Sequence, residues 1–287
     1  MILKPFDPWK SPLCTCPEKL SLNPYTGCPH GCLYCYATSY IPHFQEPRPK
    51  VDLEKRLRRE VLRIRPESLV TMSSSCDPYP YQEKDLLITR GCLKILKGGG
   101  MAVQVFTKSD LVCRDADLLS EMKSVVSVTI TTARDDLSRK LEPGAPLPDR
   151  RLEAIRFLHR KGIPVSARID PIIPGINDCE IETLAFLACE AGAQHITSST
   201  YKARPDNWRR ILSAFPLQAE NLKAIFEKGS RVGGSSYMPG EIRESLMRKV
   251  ESAALENGVT FASCREGKKA QSGVLCDGSH LLIGMIK

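Results

Sequence analysis

The sequence predicts an α/β fold, a partial (β/α)6 barrel of TIM type that is open on one side. Three observations carry this. Short β-rich runs alternate with amphipathic helical segments six times between residues 20 and 215, the rhythm of parallel βα units. A loop dense in cysteine and glycine follows the first expected strand, at the end of the barrel where such folds place their chemistry. The chain of 287 residues, 42% hydrophobic and 26% charged, is long enough for one large domain with a full core.

Taken in order, residues 20–24 are the first strand and the cysteine loop follows. Residues 51–65 carry Leu53, Leu57, Val61 and Ile64 on one helical face. A strand over 68–74 leads to a helix over 85–97, which the glycine triplet 98–100 ends. Residues 101–107 form a strand and 115–123 a helix, and 125–131 is the clearest buried strand. After Pro143, Pro146 and Pro148 comes a helix with Leu152, Ile155 and Leu158 on one face. A strand over 164–170, a helix over 178–190 and a strand over 195–199 complete the barrel. The domains are read as an extension over 1–19 with a C-x-C pair, the barrel over 20–215, and a cap over 216–287. That cap is expected to hold helices over 217–228 and 239–257, then a hairpin-like stretch over 259–286.

No run approaches eighteen consecutive apolar residues, so no membrane helix is expected. The start, MILKPFDPWKSP, lacks a signal peptide's apolar core, and the expected location is the cytoplasm. Twelve cysteines in that setting read as metal or redox chemistry rather than a disulfide framework. The net charge of +8 favours a polyanionic partner. Residues 50–65 hold seven Lys/Arg against three Asp/Glu. Residues 202–210 hold four against one, beside Tyr201 and Trp208. Cations interleaved with rings suit nucleic acid, while the plainer reading is a solvated helix face and a loop.

The chemistry centres on residues 23–36, NPYTGCPHGCLYCY, with Cys28, Cys32 and Cys35 spaced C-x3-C-x2-C. Three thiolates this close can wrap one side of a cubane iron–sulfur cluster, leaving one iron open to a small chelating molecule. By spacing alone, a zinc site completed by His30 or three buried thiols remain open.

The spacing, with Tyr34 before the last cysteine, resembles the radical S-adenosylmethionine (SAM) enzymes. The longer NPY-x-GC-x-HGC-x-YCYA is similar to their spore photoproduct lyase-like branch. The resemblance implies a 4Fe–4S cluster on Cys28, Cys32 and Cys35, and SAM as the molecule at the open iron. One-electron reduction of SAM then yields a 5′-deoxyadenosyl radical that takes a hydrogen atom from a substrate. It further implies cofactor contacts at the SSSCDPYPYQE turn (Ser74, Ser75, Asp77, with Tyr79 and Glu83) for the SAM amino group. Lys108 would face the SAM carboxylate and Thr131 the ribose. Arg168, as a further cofactor contact, and Asp170 end the fifth strand, and 171–178 matches the family's backbone contact to the adenine. Tyr34 sits with the cofactor. Cys76 matches the place of a cysteine that, in the lyase-like branch, returns a hydrogen atom to the product radical; the alternative is a buried small side chain. A ferredoxin or flavodoxin is the implied electron donor.

Cys14, Cys16, Cys264 and Cys276 lie near the two chain ends, which in barrels often meet, and could hold a second iron–sulfur cluster or zinc. Residues 276–280 read CDGSH, similar to the pentapeptide of a two-iron cluster domain, although the C-x-C that such domains place about ten residues upstream is absent. His280 is thus either a ligand or a turn residue. Three functions follow. One is a radical SAM enzyme acting on nucleic acid. The second is a radical SAM enzyme acting on a protein or small molecule. The third is a non-enzymatic iron–sulfur or zinc protein that binds RNA or senses redox state.

Overall fold

In the computed structural model, which describes residues 1–6, 11–73 and 75–285, one eight-stranded sheet organises the chain. Its strands are β1 (Lys4–Pro5), β2 (Leu20–Leu22), β3 (Leu69–Met72), β4 (Ala102–Thr107), β5 (Ser124–Thr129), β6 (Val165–Ile172), β7 (His195–Thr200) and β8 (Thr260–Ser263). They pair in that sequential order. β1 is antiparallel at one edge and every later pair is parallel. The order does not close on itself, so β2–β7 form the expected partial barrel. β8 extends it by a seventh parallel strand.

Outside pack α1 (Leu53–Val61), α2 (Ile88–Gly98), α3 (Ala116–Ser120), α4 (Asp135–Leu141), α5 (Pro148–Arg160), α6 (Ile181–Glu190), α7 (Pro205–Ala214), α8 (Pro216–Glu227) and α9 (Gly240–Glu256). The core lies between sheet and helices. Val103 and Val105, Val126 and Val128, Val165 and Ala167 point outward from successive strands against Leu93, Leu96, Leu119, Ile155 and Leu158. The alternate positions, Gln104, Ser127, Ser166 and Thr197, point inward, as the two-residue period of a strand requires. The barrel interior is therefore polar.

Among the described residues, the hairpin expected over 259–286 does not form. Residues 260–263 instead pair in parallel with β7, because Thr260 and Phe261 register against His195 and Ile196. The chain then turns inward. Gln104 Nε2 donates to the Asp277 carbonyl at 2.6 Å, and Thr197 Oγ1 donates to the Cys276 carbonyl at 3.0 Å. The Asp277 carboxylate is ion-paired with Lys19. Leu281 and Leu282 pack on Leu69, Ala102 and Val125. The tail thus satisfies Gln104 and Thr197 of the polar interior, while the buried hydroxyls of Ser127 and Ser166 have no hydrogen-bond partner among the described residues.

Lys19 and Asp277 are almost wholly buried, so removing one partner leaves an uncompensated charge. Lys19→Ala is expected to lower unfolding free energy in urea by about 3–5 kcal/mol. Lys19→Met with Asp277→Asn should recover much of that loss. The folded Asp277 carboxyl is held below its ordinary value, against the cost of burial, chiefly by Lys19. Its contribution is accordingly present above the unfolded carboxyl value and fades as pH falls.

Candidate active site

The cysteine loop between β2 and α1 has little regular structure, so neighbours hold it. Cys28 N donates to the Phe44 carbonyl at 2.6 Å. Gly27 lies at φ +91°, where a Cβ would stand 2.6 Å from the Glu46 carbonyl oxygen. Glycine is needed there both for the conformation and for the close approach. On the other side Leu33 N donates to the Leu141 carbonyl at 2.9 Å, and Gly144 N to the His30 carbonyl at 2.9 Å.

The motif residues explain one another. Tyr25 of the NPY run donates its hydroxyl to the buried Glu83, which also takes Thr89 N and Arg114 Nη2. Asp77 Oδ1 accepts from Tyr79 N and the Thr107 hydroxyl, Oδ2 accepts from Lys108 N, and His30 Nδ1 stands 3.7 Å away. The D-P-Y-x3-E turn thus fastens the end of β3 to the cysteine loop and to the end of β4. Ser73 takes φ +73° at that strand end, an unusual backbone for a residue with a Cβ. Ser75 follows it half-buried; Ser74 lies outside the described residues. Burial pushes the His30 pKa down despite Asp77, so His30 is neutral near pH 7 and acts as a fixed polar wedge.

Sequence reasoning missed Glu142, the centre of the site. This buried carboxylate accepts from the Tyr34 hydroxyl and from Thr131 Oγ1 at 2.7 Å. Arg151 Nη1 is 2.5 Å from it and Lys108 Nζ 3.7 Å. Burial works against its charge, yet Arg151 and Lys108 outweigh that and hold its pKa at about 2. Burial likewise opposes the Lys108 ammonium, but Glu142 and the Cys32 sulfur hold its pKa above the ordinary value. Three residues singled out in the sequence, Tyr34, Lys108 and Thr131, therefore meet on one anion.

Basic residues over 202–210 also take an unforeseen role. The N-terminal turn of α7 faces the cysteine loop. Asn207 Nδ2 donates to the Tyr34 carbonyl at 3.0 Å, and Arg210 donates to the carbonyls of Leu33 and Cys35, each at 3.0 Å. Asp206 accepts from the hydroxyls of Thr38 and Ser39. The expected stacking rings are spent in packing. Tyr201 is buried against Trp208 and Phe226, with ring centroids 6.3 and 5.8 Å away.

At the ends of β6–β8 a second polar group forms. Arg168 pairs with Asp170 at 2.6 Å and lies 5.4 Å from the Phe106 ring, with Cys264 acting on it electrostatically. Asn177 of the 171–178 loop donates to the carbonyls of Thr131 and Pro171. Glu266 takes Lys202 and Arg243, each at 2.8 Å. Lys202, Arg243 and Arg265 surround the Tyr237 ring at 5.5, 5.5 and 6.0 Å. Nearby, Tyr36 stacks on the half-exposed Tyr40, which Arg204 approaches to 5.9 Å.

Residues 22–188 match the family model for the radical SAM superfamily. The chain belongs to that superfamily. It is thus a radical SAM enzyme, and the non-enzymatic reading falls away. A protein of Methanocaldococcus jannaschii with no assigned function is 33% identical over 180 residues, 62% of this chain and 68% of that one. A radical SAM Nα-GlyT isomerase of Pseudomonas phage M6 is 23% identical over 267 residues, 89% of this chain and 55% of the phage protein. Among solved structures, a spore photoproduct lyase variant with bound AdoMet and dinucleoside spore photoproduct superposes with a TM-score of 0.67. Its identity is 16%, and the match covers 85% of this chain and 75% of the lyase. Streptococcus suis SuiB bound to its precursor peptide gives 0.57 at 13% identity, covering 85% and 48%. At such identities the structural likeness is one of fold.

The family's 4Fe–4S cluster and SAM fit this loop. Cys28, Cys32 and Cys35 offer three soft donors on one short turn, and Lys108 acts electrostatically on both Cys32 and Cys35. Among the described residues no three His, Cys, Asp or Glu side chains converge on a single ion. A cubane, whose thiolates bind separate irons, does not ask that of them. Cys76 is buried beside Cys28, Tyr25 and Phe44, and its thiol donates to the Tyr25 carbonyl at 3.1 Å. No helix among the described residues is long and apolar enough to cross a membrane.

Glu142→Gln leaves Lys108 and Arg151 without their buried counter-ion and is expected to cost about 3–5 kcal/mol in denaturant unfolding. Because the folded pKa is lowered, the wild-type contribution is full above the ordinary value of 4.5 and is lost as pH falls towards about 2. The gap between wild type and variant should close over that interval. Arg210→Ala should retain the fold by circular dichroism yet bind less iron on reconstitution; unchanged iron would deny α7 its part in shaping the loop.

Proposed function

We propose that this radical SAM enzyme acts on nucleic acid, abstracting a hydrogen atom from a nucleotide held at the ends of β6–β8. When bound, the cluster and SAM supply a 5′-deoxyadenosyl radical as the abstracting species. Cys28, Cys32 and Cys35 would hold the cluster. Lys108 would offer its ammonium to the SAM carboxylate, kept charged by Glu142, with Ser75 and the turn before Asp77 beside the amino group. Thr131 and Arg168 line the way to the ribose and the mouth. Tyr34 closes the site beneath Lys108, whose Nζ lies 5.6 Å from its ring.

The observation that carries the nucleic-acid reading is the rim. Arg204 approaches the half-exposed Tyr40, while Lys202, Arg243 and Arg265 surround the wholly buried Tyr237, which offers no face to a base, and Lys202 and Arg243 pair with Glu266. The cations and the Tyr40 ring meet the two needs of a single strand, neutralised phosphates and stacked bases. The spore photoproduct lyase structure, with its dinucleoside ligand, agrees in kind; SuiB, with its precursor peptide, does not. A peptide or small-molecule substrate is therefore the competing outcome. Cys76 is proposed as the thiol that returns hydrogen to the product. Burial, then Asp77, push its pKa up to about 12, so it carries the S–H that this role requires.

Anaerobically reconstituted protein, reduced by a flavodoxin or ferredoxin, should cleave SAM to 5′-deoxyadenosine, and the Cys28/Cys32/Cys35→Ala variant should not. A fluorescent single-stranded oligonucleotide should bind with log Kd rising linearly in log salt, and Arg265→Gln should reduce that slope by about 1. Salt-independent or absent binding, with SAM cleavage stimulated by peptides, would sink the nucleic-acid reading and leave the enzyme class intact. Cys76→Ala should keep SAM cleavage while diverting the product radical to side products.

A further inference from the structure

The outer face of α1 carries a charge that the site described above does not use. Leu53, Leu57 and Val61 bury one side of this helix, and Lys55, Arg56 and Arg59 stand exposed on the other. Residues 50–65 hold seven Lys/Arg against three Asp/Glu, and two of those acids are already engaged. Glu54 faces Arg58 at 3.7 Å, and Glu60 accepts from the backbone N–H groups of Ile2 and Leu3. Among the described residues Lys55, Arg59 and Arg63 enter no ion pair. Lys55 and Arg59, four residues apart on the helix, repel each other, a cost that an acidic partner removes. Burial lowers the Lys50 pKa, and Lys4 and Arg56 lower it further, so cations gather here from three segments. Val51 and Leu62, 80% and 87% exposed, add apolar surface at the two ends of the patch.

The chain just before α1 is a wall one layer thick over the cysteine loop. Tyr25 and Thr26 pair antiparallel with Pro49 and Arg48, and strands so paired lie about 4.8 Å apart. Phe44 gives its carbonyl to Cys28 N at 2.6 Å and packs in one cluster with Cys28 and Cys76. Its neighbours His43, Gln45, Glu46 and Arg48 are exposed. A protein seated on α1 and on residues 42–49 therefore comes within a single layer of chain of Cys28.

We propose that this face docks the acidic protein, a flavodoxin or a ferredoxin, that delivers electrons to the enzyme. The proposal rests on the radical SAM class of the chain and is independent of its substrate. In the docked pair one electron leaves the reduced carrier, which is oxidised by one electron. It passes to the iron that Cys28, Cys32 and Cys35 would hold, with no bond made or broken. Opposite charge brings the carrier to the face quickly and sets its orientation, and the exposed Val51 and Leu62 give the contact an apolar part. A nucleic acid is the other polyanion to weigh, and two observations disfavour it here. Residues 48–65 contain no aromatic side chain on which a base could stack. The strand order also sets α1, between β2 and β3, at the opposite end of the sheet from β6–β8, where the substrate is placed.

The test compares the anaerobically reconstituted chain with Lys55→Glu/Arg56→Glu/Arg59→Glu. A neutral Lys55→Gln/Arg56→Gln/Arg59→Gln variant stands in if the first does not fold by circular dichroism. Titration of a dye-labelled flavodoxin, and separately of a ferredoxin, should show Kd raised at least about tenfold by the charge reversal. Parent binding should weaken as salt is raised. Formation of 5′-deoxyadenosine should fall likewise when reduced flavodoxin drives it, and stay at the parent level when dithionite does. Failure of both carriers to bind the parent, or equal binding and carrier-driven turnover in parent and variant, would overturn the proposal. So would loss of oligonucleotide binding with carrier coupling intact, which would give the face to nucleic acid. Dithionite without any cleavage of SAM by the parent would count against the enzyme reading alone, since the titration still reads the face.

Discussion

A buried carboxylate surrounded by two cations and two hydroxyls is the constraint on which this site rests. Glu142 stands beneath the cysteine loop, and water is excluded from it. Its charge is tolerable because Arg151, Lys108, Tyr34 and Thr131 converge on it. Those partners come from the cysteine loop, the end of β4, the end of β5 and α5. A single anion thus ties together four segments that are far apart in sequence. In low dielectric such a group is worth having only if every member is in place, so it fixes one arrangement rather than many.

The loop that carries the cysteines needs this outside support because it has few backbone bonds of its own. Glu142 grips it from one side, Asp77 and His30 from a second, and α7 from a third through Asn207 and Arg210. A site held by groups on strands and helices keeps its geometry better than one left to a free loop. Arg210 and Lys108 also place positive charge near Cys35. Support and electrostatics come from the same side chains.

Much of this was legible in the sequence, and the rest was hidden for physical reasons. The strands at 102–107, 124–129 and 165–172 were readable because their outward residues are apolar and β-branched. The cysteine triplet was readable because its spacing is chemistry. Glu142 was not, since an acidic residue just ahead of Pro143, Pro146 and Pro148 looks like an exposed turn until Arg151, nine residues on, is seen to fold under it. The aromatic and basic run at 201–210 misled because composition does not say which way a ring faces. Tyr201 and Trp208 pack inward, while Tyr36, read as part of the cysteine motif, stacks on Tyr40, which sequence reasoning did not single out and which is half-exposed.

The tail shows most clearly what an open barrel requires. Of the inward residues Gln104, Ser127, Ser166 and Thr197, the tail partners Gln104 and Thr197, and each buried polar atom left without a partner, as the Ser127 and Ser166 hydroxyls are, costs free energy. The family match ends at residue 188, before the last strands and the tail. The turn at 276–279 enters that polar space with its carbonyls, its carboxylate and Ser279, and Lys19 closes the charge from the opposite edge. His280, a candidate ligand by its CDGSH setting, accepts from Leu275 N at 3.2 Å and meets Thr260 Oγ1 at 3.1 Å, so it staples the turn. The polar lining of the barrel and the sequence of the tail are two halves of one requirement. Their meeting brings Cys276 Sγ to within 3.5 Å of Cys16 Sγ.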